Sequence, residues 1–421
     1  MPLHIADGKS RLPGVNSEKV FNGVLTYGAH NYNSLPVALV RGKGVYVWDA
    51  DGNQFYDLLA GYSALNQGHC HPRIVRALQT QAEQLTLTSR AFFTDAFADY
   101  ARLMHQMFGY DKVLPMNSGV EACETACKIA RKWGYTKKGI PDNEAKIVFA
   151  ENNYWGRTLA AISASTDPTA RDKYGPWMPG FLLVPYDNLK ALEKMLESDP
   201  NICAVMLEPI QGEAGIVVPS PGYLKGVREL CTKYNVLWIN DEVQTGLGRT
   251  GKLLCVHHEK VRPDMICLGK ALSGGMLPLS AVLADDEVML CMLPGDHGST
   301  FGGNPLGCRV ACEALRVILD EDLTENAKRL GDILQPELKQ RLDQSVVKCV
   351  RGKGLLVAIG IQDGLSFGST DVCVKLRDNG ILCKSTHNEI IRLAPPLVIT
   401  EEQLRECIEI IVETINSFAN K

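Results

Sequence analysis

Four short stretches of the sequence carry side chains suited to chemistry, and each follows an apolar run that reads as a strand. The first is Asn117-Ser118-Gly119-Val120-Glu121, between a run ending at Met116 and a helical pattern beginning at Val120. A small turn at a helix N-terminus offers backbone N–H groups and the positive end of the dipole to an anion such as phosphate. The second is Asp241-Glu242, which closes the apolar run Val236-Leu-Trp-Ile-Asn240. A carboxylate at a buried strand end is costly unless a cation meets it. The plain reading is a helix cap or an ion pair with an arginine; the functional one is a counter-ion for a protonated ring nitrogen. The third is Lys270, after Asp264-Met-Ile-Cys-Leu-Gly269 and before Ala-Leu-Ser-Gly-Gly275. Among small apolar residues an ammonium group loses hydration, its pKa falls, and the amine becomes a nucleophile able to form a Schiff base. The plainer reading is a lysine stem lying along apolar surface. The fourth is Tyr154-Trp155-Gly156-Arg157-Thr158, an aromatic face for stacking beside a guanidinium for a carboxylate.

Each stretch alone is ambiguous. Together they supply an anion cradle, a stacking aromatic, an acid for a ring nitrogen and a Schiff-base lysine. Those are the parts needed to hold pyridoxal 5'-phosphate. Open α/β sheets bind ligands at the carboxyl ends of their strands, which is where all four fall.

The elements that must position these residues follow from the hydrophobic pattern. Apolar runs at 112–116, 146–150, 181–186, 202–207, 236–240, 264–268 and 280–284 read as seven buried strands. Helical patterns such as 120–133, 188–197 and 222–234 separate them. The alternation predicts an α/β fold whose large domain is a mainly parallel seven-stranded sheet flanked by helices. Residues 304–344 read as one long helical stretch leading out of that domain. Strands at 354–361, 381–383 and 390–393 then mix with helices in a smaller α+β domain. The last helix is capped by Thr400 with Gln403, and Leu404, Ile408, Ile411, Val412, Ile415 and Phe418 form its apolar stripe. Residues 1–45 read as irregular; 45–48 and 54–58 flank a turn as a hairpin. The expected division is an N-terminal segment, 1–45, a large domain, 46–310, and a small C-terminal domain, 311–421.

Composition narrows the partners. The 421 residues include 44 basic and 48 acidic side chains, a net charge of −4, so no nucleic-acid partner is expected. No apolar run approaches the roughly 18 residues that cross a bilayer, so no membrane partner is expected either. The fourteen cysteines include no C-x-x-C pair. Cys123/Cys127 and Cys308/Cys312 lie one helical turn apart. For Cys123/Cys127 helix packing is the expected role, since a disulfide across one regular turn needs distortion. Reduced thiols and no metal centre are expected. Residues 1–20 lack an apolar signal core, and residues 1–9 lack an Arg- and Ser-rich leader. The expected location is cytoplasmic, or the mitochondrial matrix if a leader was removed.

Two motifs are set aside. Gly246-Leu-Gly-Arg-Thr-Gly-Lys252 matches both G-x-G-x-x-G and G-x-x-x-x-G-K. Yet Leu253 stands where a P-loop needs Ser or Thr, and Leu253-Leu-Cys-Val256 does not read as an amphipathic helix. It reads as a glycine-rich active-site loop. His69-Cys70-His71 lacks further ligands at usable spacing, and His71-Pro72 reads as a helix start.

The chain resembles the class-III, fold-type-I pyridoxal-phosphate aminotransferases. The likeness runs from Tyr27-Gly-Ala-His-Asn-Tyr32 to the terminal helix. It is carried by Asn66-Gln-Gly-His-Cys-His71, Glu208-Pro-Ile-Gln-Gly-Glu-Ala-Gly215, Asp241-Glu-Val-Gln-Thr-Gly246, Leu268-Gly-Lys-Ala-Leu-Ser-Gly-Gly275 and His297-Gly-Ser-Thr-Phe-Gly-Gly-Asn-Pro305. The resemblance implies roles. Lys270 would bind the cofactor covalently and move the proton; Asp241 would pair with the ring nitrogen. Gln244 would hydrogen-bond the ring's phenolic oxygen. Gly119 and Val120 would give N–H groups to the phosphate from the turn that Ser118 opens. Tyr154, where relatives usually carry Phe, would stack on the ring, with Trp155 beside it. Ser299 and Thr300 would reach the phosphate of a partner subunit, which implies a homodimer with shared sites and dimer contacts from residues 1–45.

The motif at 27–32 narrows the resemblance to members whose donor is L-ornithine and whose acceptor is 2-oxoglutarate. Ornithine would present its δ-amine, with Tyr32 and Arg157 holding the distal end and Tyr62 forming a wall. Arg392 would be the second cation for the diacid. Glu213 would mask Arg392 while ornithine is bound and give way to 2-oxoglutarate. The nearest alternatives act on N-acetylornithine or 4-aminobutyrate. A non-catalytic protein on this fold would lack Lys270 or Asp241, and a nucleotide-binding one would use residues 246–252.

Overall fold

The computed structural model describes residues 13–419, so the leader expectation drawn from residues 1–9 lies outside them. Seven strands form the central sheet in the order Lys112–Met116, Ser280–Ala284, Met265–Leu268, Leu237–Asp241, Ile202–Leu207, Lys146–Ala150 and Phe181–Val184. Neighbours run parallel except at Ser280–Ala284, which is antiparallel to both strands beside it. Ile202–Leu207, Leu237–Asp241 and Met265–Leu268 are buried along their whole length. That is why they read as unbroken apolar runs rather than alternating ones. Gly119–Trp133, Leu189–Ser198 and Tyr223–Lys233 supply the expected helices.

Two smaller sheets flank this layer. One is antiparallel, in the order Val347–Lys353, Leu356–Ile361, Ile390–Leu393 and Lys384–Thr386. The other joins Leu39–Lys43, Tyr46–Asp49 and Gln54–Asp57 to Ile381–Leu382. The hairpin is therefore present, but its sheet is completed by the C-terminal part of the chain. The N–H groups of Tyr56 and Leu58 donate to Gly380 and Leu382, at 2.9 and 2.8 Å. The terminal helix Glu401–Asn416 has the anticipated cap: the Gln403 N–H donates to Thr400 Oγ1 at 3.2 Å and the Thr400 N–H to Gln403 Oε1 at 2.9 Å.

Three expectations are corrected. Residues 1–45 are not irregular throughout: they hold the helix Val15–Tyr27 and the strand Leu39–Lys43. The helix start lacks a local capping side chain. Instead the Asp51 carboxylate accepts the N–H groups of Gly14, Asn16 and Ser17 at 2.9, 3.1 and 3.2 Å. A cap supplied from a distant turn leaves no local signature. Second, 304–344 is two helices, Pro305–Asp320 and Leu323–Arg341. They break where Asp322 enters the left-handed region at φ 50°. Third, Val347–Lys353 is a strand, hidden by its charged and half-exposed positions.

The glycine-rich loop 246–252 turns away from the site that the strand ends form and ties the central sheet to the C-terminal part. Arg249 is fully buried there. It donates to the carbonyls of Leu355 and Pro395 at 3.1 and 2.5 Å and to Asn66 Oδ1 at 2.6 Å. Gly251, at φ +86°, lies so near the next segment that a side chain would meet the Lys328 backbone at 3.0 Å. The loop is thus a structural knot rather than an active-site loop. His69 Nε2 lies 2.7 Å from Asp57 and His71 Nε2 lies 3.0 Å from Glu321. All fourteen cysteines are free thiols. Among the described residues no helix is long and apolar enough to cross a membrane.

Candidate active site

The carboxyl ends of the central strands bring the expected residues together. Lys270 follows the strand Met265–Leu268 and opens a short 3-10 turn with φ +46°. A non-glycine residue in that region stores about 1–3 kcal/mol of strain, a feature that clusters at functional sites. Burial lowers the amine's pKa, while Glu213 and Asp241 pull it back up. Asp241 ends the neighbouring strand and is 6 % exposed. Burial raises its carboxyl pKa; the Val243 N–H, Lys270 and the Cys123 thiol oppose this. The Val243 N–H donates to Oδ1 at 2.9 Å and the Cys123 thiol to Oδ2 at 3.4 Å.

The turn expected to cradle an anion opens the helix Gly119–Trp133. Ser118 and Glu121 close a capping box, so the Ser118 hydroxyl is engaged in holding the turn. The Gly119 and Val120 N–H groups lead the helix. A side chain at Gly119 would meet Val243 at 2.9 Å, so only glycine brings this turn against the Asp241 loop. A 400 Å³ recess is lined by Asn117, Ser118, Gly119 and Lys270.

A larger cavity of 660 Å³ is lined by Tyr62, Tyr154, Arg157, Glu213, His387 and Arg392, among others. Arg392, on the strand Ile390–Leu393, is buried. Its Nη1 donates to Glu213 Oε1 at 2.7 Å and its Nη2 to Gln244 Oε1 at 3.0 Å. Gln244 Nε2 closes the triangle on Glu213 Oε1 at 3.3 Å. Burial pushes the Glu213 carboxyl up, but the charge and hydrogen bond of Arg392 outweigh it, and the net shift is downward. The Tyr62 ring lies 5.1 Å from the Arg392 guanidinium, and the Tyr154 ring 5.4 Å from that of Arg157. Tyr62 is presented by one left-handed turn, with φ of 48°, 58°, 59° and 71° from Ala60 to Ser63. L-residues avoid such a turn. Asp57 secures its start by accepting the N–H groups of Leu59 and Ala60, each at 2.9 Å.

Other expected residues sit less centrally. Tyr32 is 75 % exposed, though its hydroxyl is an electrostatic neighbour of those of Tyr62 and Tyr154. Trp155 touches the cavity, but its indole stacks on Phe149 at 5.5 Å. Ser299 Oγ accepts from Asn117 Nδ2 of its own chain at 2.9 Å, and Thr300 is exposed.

One functional candidate carried no role in the sequence reading. Glu208 lies just beyond the strand Ile202–Leu207, the topological place that Asp241 holds on the next strand. Its oxygens accept the N–H groups of Tyr154 and Gly212 at 3.0 and 3.1 Å, so it ties the aromatic loop to the loop bearing Glu213. Burial and the nearby Asp241 push its carboxyl up to about 8. Its position after a buried strand was the available signal.

This assembly of lysine, carboxylates and helix start on a mainly parallel sheet is that of a pyridoxal-phosphate transferase. The family model for class-III aminotransferases matches residues 27–415, and the chain belongs to that family. It is 62 % identical over 404 residues to the mitochondrial ornithine aminotransferase of Drosophila melanogaster, covering 96 % of this chain and 93 % of that protein. Its structure matches that of the Toxoplasma gondii ornithine aminotransferase with a TM-score of 0.94 at 50 % identity, covering 96 % of this chain and 95 % of the other. That structure is described as holding pyridoxal phosphate at partial occupancy in its active site. An acetylornithine aminotransferase from Elizabethkingia anophelis matches with a TM-score of 0.88 at 51 % identity, covering 96 % and 100 %.

Proposed function

We propose that this enzyme transfers the δ-amino group of L-ornithine to 2-oxoglutarate, giving glutamate 5-semialdehyde and glutamate, with pyridoxal 5'-phosphate as cofactor. The observation that carries this reading is the partly buried triangle of Arg392, Glu213 and Gln244 beside Lys270. When bound, the cofactor supplies a carbonyl that captures the substrate amine and a ring that accepts the electron pair released at the substrate carbon.

The residues fit that group. Asp241, buried and raised in pKa, keeps a proton on the ring nitrogen and gains the cation its burial demands. The Gly119 and Val120 N–H groups orient the phosphate at the helix start. Gln244 orients the phenolic oxygen, and Tyr154 covers the ring. Lys270 Nζ, held at lowered pKa, anchors the cofactor and shuttles the proton at the substrate carbon.

Charge then sorts the substrates. Ornithine carries one carboxylate, for which Arg157 and the tyrosines Tyr32 and Tyr62 provide the distal end. With Glu213 on Arg392, the guanidinium beside Lys270 is already paired and does not draw that carboxylate inward. 2-Oxoglutarate carries two carboxylates and competes with Glu213 for Arg392. Acetylornithine transfer is the second reading, favoured by the Elizabethkingia match. Steady-state turnover with each donor tests the choice: ornithine should give the highest kcat/KM, and Lys270→Ala should abolish turnover. Faster turnover of N-acetylornithine would move the enzyme to the sister activity.

The reading includes a homodimer. The helix Val15–Tyr27 exposes Val20, Val24 and Leu25, and Phe92 and Phe93 are exposed as well. Ser299 and Thr300 then serve the partner's phosphate, a role that light scattering and mixed-mutant complementation test. Residues 46–57 share a sheet with Ile381–Leu382, which favours grouping them with the C-terminal part rather than opening the large domain at 46. The name of the Drosophila relative favours a mitochondrial location over the cytoplasm, and cell fractionation decides between them.

A further inference from the structure

We propose that Cys123 is a positioning residue for Asp241: its buried thiol donates to the carboxylate's second oxygen and holds that carboxylate in the charged form a ring nitrogen needs. The inference rests on the reading of Asp241 as partner of the cofactor ring.

Cys123 lies one turn into the helix that opens with the anion cradle. Its Sγ is 3.4 Å from Asp241 Oδ2, with both residues buried. The Val243 N–H occupies Oδ1. The thiol is therefore the side-chain donor that meets Oδ2 from beneath the site. Packing accounts for the other member of the pair, since Cys127 Sγ meets Met206 Sδ at 3.7 Å within the core. It does not account for a thiol directed at a carboxylate. Burial raises the Cys123 pKa well above the usual thiol range, so the sulfur keeps its proton and acts as a donor.

The groups that bear on Asp241 come from each element packed around it. Lys270 approaches from the turn after Met265–Leu268 and Glu208 from the end of Ile202–Leu207. Cys267, on Met265–Leu268, sits against the Cys123 thiol itself. Lys270 and the thiol favour the charged carboxylate; Glu208, when ionised, opposes it. A donor to the charged form lowers a carboxyl pKa. Removing the thiol must raise that of Asp241, and cofactor binding then weakens first on the acid side.

The test is equilibrium dialysis of the cofactor-stripped full chain against pyridoxal 5'-phosphate between pH 5 and 8, for wild type, Cys123→Ala, Cys123→Ser and Asp241→Asn. Thermal melts at each pH verify folding. In Cys123→Ala the acid limb should move up by about half a unit to one unit, making binding about three- to tenfold weaker at the acid end and near normal at pH 8. Cys123→Ser keeps a donor, and its limb should lie at or below that of wild type. An unmoved limb in Cys123→Ala, a uniform loss at every pH, or equal shifts in Ala and Ser would each overturn the proposal in favour of packing. Asp241→Asn binding as tightly as wild type would instead overturn the reading of Asp241 itself.

Discussion

Arg249 and Arg392 are both withdrawn from water, at 0 % and 3 % exposure, and the chain compensates them differently. Arg249 is held by two main-chain carbonyls and an amide oxygen, with no carboxylate in ion-pair reach among the described residues. Burial brings its guanidinium down to about 9. Neutral acceptors fixed in the backbone cannot leave, so this cation is permanently committed to joining two parts of the fold. Arg392 is held by the side chains of Glu213 and Gln244, not by the backbone. The Glu213 side chain keeps 31 % of its surface exposed, and the proposed function has a competing carboxylate take its place. A buried charge neutralised by backbone reads as architecture; one neutralised by an exchangeable carboxylate reads as a gate.

Substitutions separate the two. Arg392→Met should lower kcat/KM for 2-oxoglutarate by about 100-fold or more while leaving a folded protein, because a buried charge-assisted pair is worth about 2–5 kcal/mol to binding. Arg249→Met should do the reverse. It strands the Leu355, Pro395 and Asn66 oxygens and should cost about 3 kcal/mol of stability in a urea titration. The folded fraction should turn over within about twofold of wild type, and Arg249→Lys should not restore the loss, since one ammonium cannot reproduce the planar fork. Equal damage to activity per folded molecule in both variants would erase the distinction.

Glu213→Ala sharpens the gate. With Arg392 unmasked, preference for δ- over α-amino donors should fall by about tenfold, a change of about 1.4 kcal/mol. An unchanged preference would reduce the pair to plain structure. The same pair gives a pH signature. The Glu213 carboxyl titrates below its ordinary value of 4.5, so its stabilisation is complete above that value and lost as pH falls through the lowered one. The stability gap between wild type and Glu213→Ala should stay level from pH 8 to 5 and close in more acidic solution. Tyr154→Phe should have the smallest effect, within about twofold in kcat, because the stacking face survives the loss of the hydroxyl.

The two arginines also mark what the sequence could disclose. The central strands were legible because burial on both faces writes them as continuous apolar runs. Asp241, Lys270 and Gly119 stood out because each interrupts that pattern at a strand end. Arg249 was hidden inside a glycine motif that resembles phosphate loops, and its partners come from segments 106 and 146 residues further along. The helix Val15–Tyr27 was missed because Asp51 caps it across a fold contact. The left-handed turn at 60–63 has one glycine among four residues, so no local preference announces it. Glu208 and the Cys123 thiol acquire meaning only once the loops and helix above the sheet close around them.

One half-reaction tests the cofactor and the amino donor together. The purified protein carrying its cofactor is mixed with L-ornithine, N-acetylornithine or 4-aminobutyrate, without keto acid, and the cofactor's visible absorbance is followed in time. Rapid loss of the band with L-ornithine, and slow or no loss with the other two, is the expected result. Faster loss with N-acetylornithine, or a protein with no such band after incubation with pyridoxal 5'-phosphate, would contradict the account.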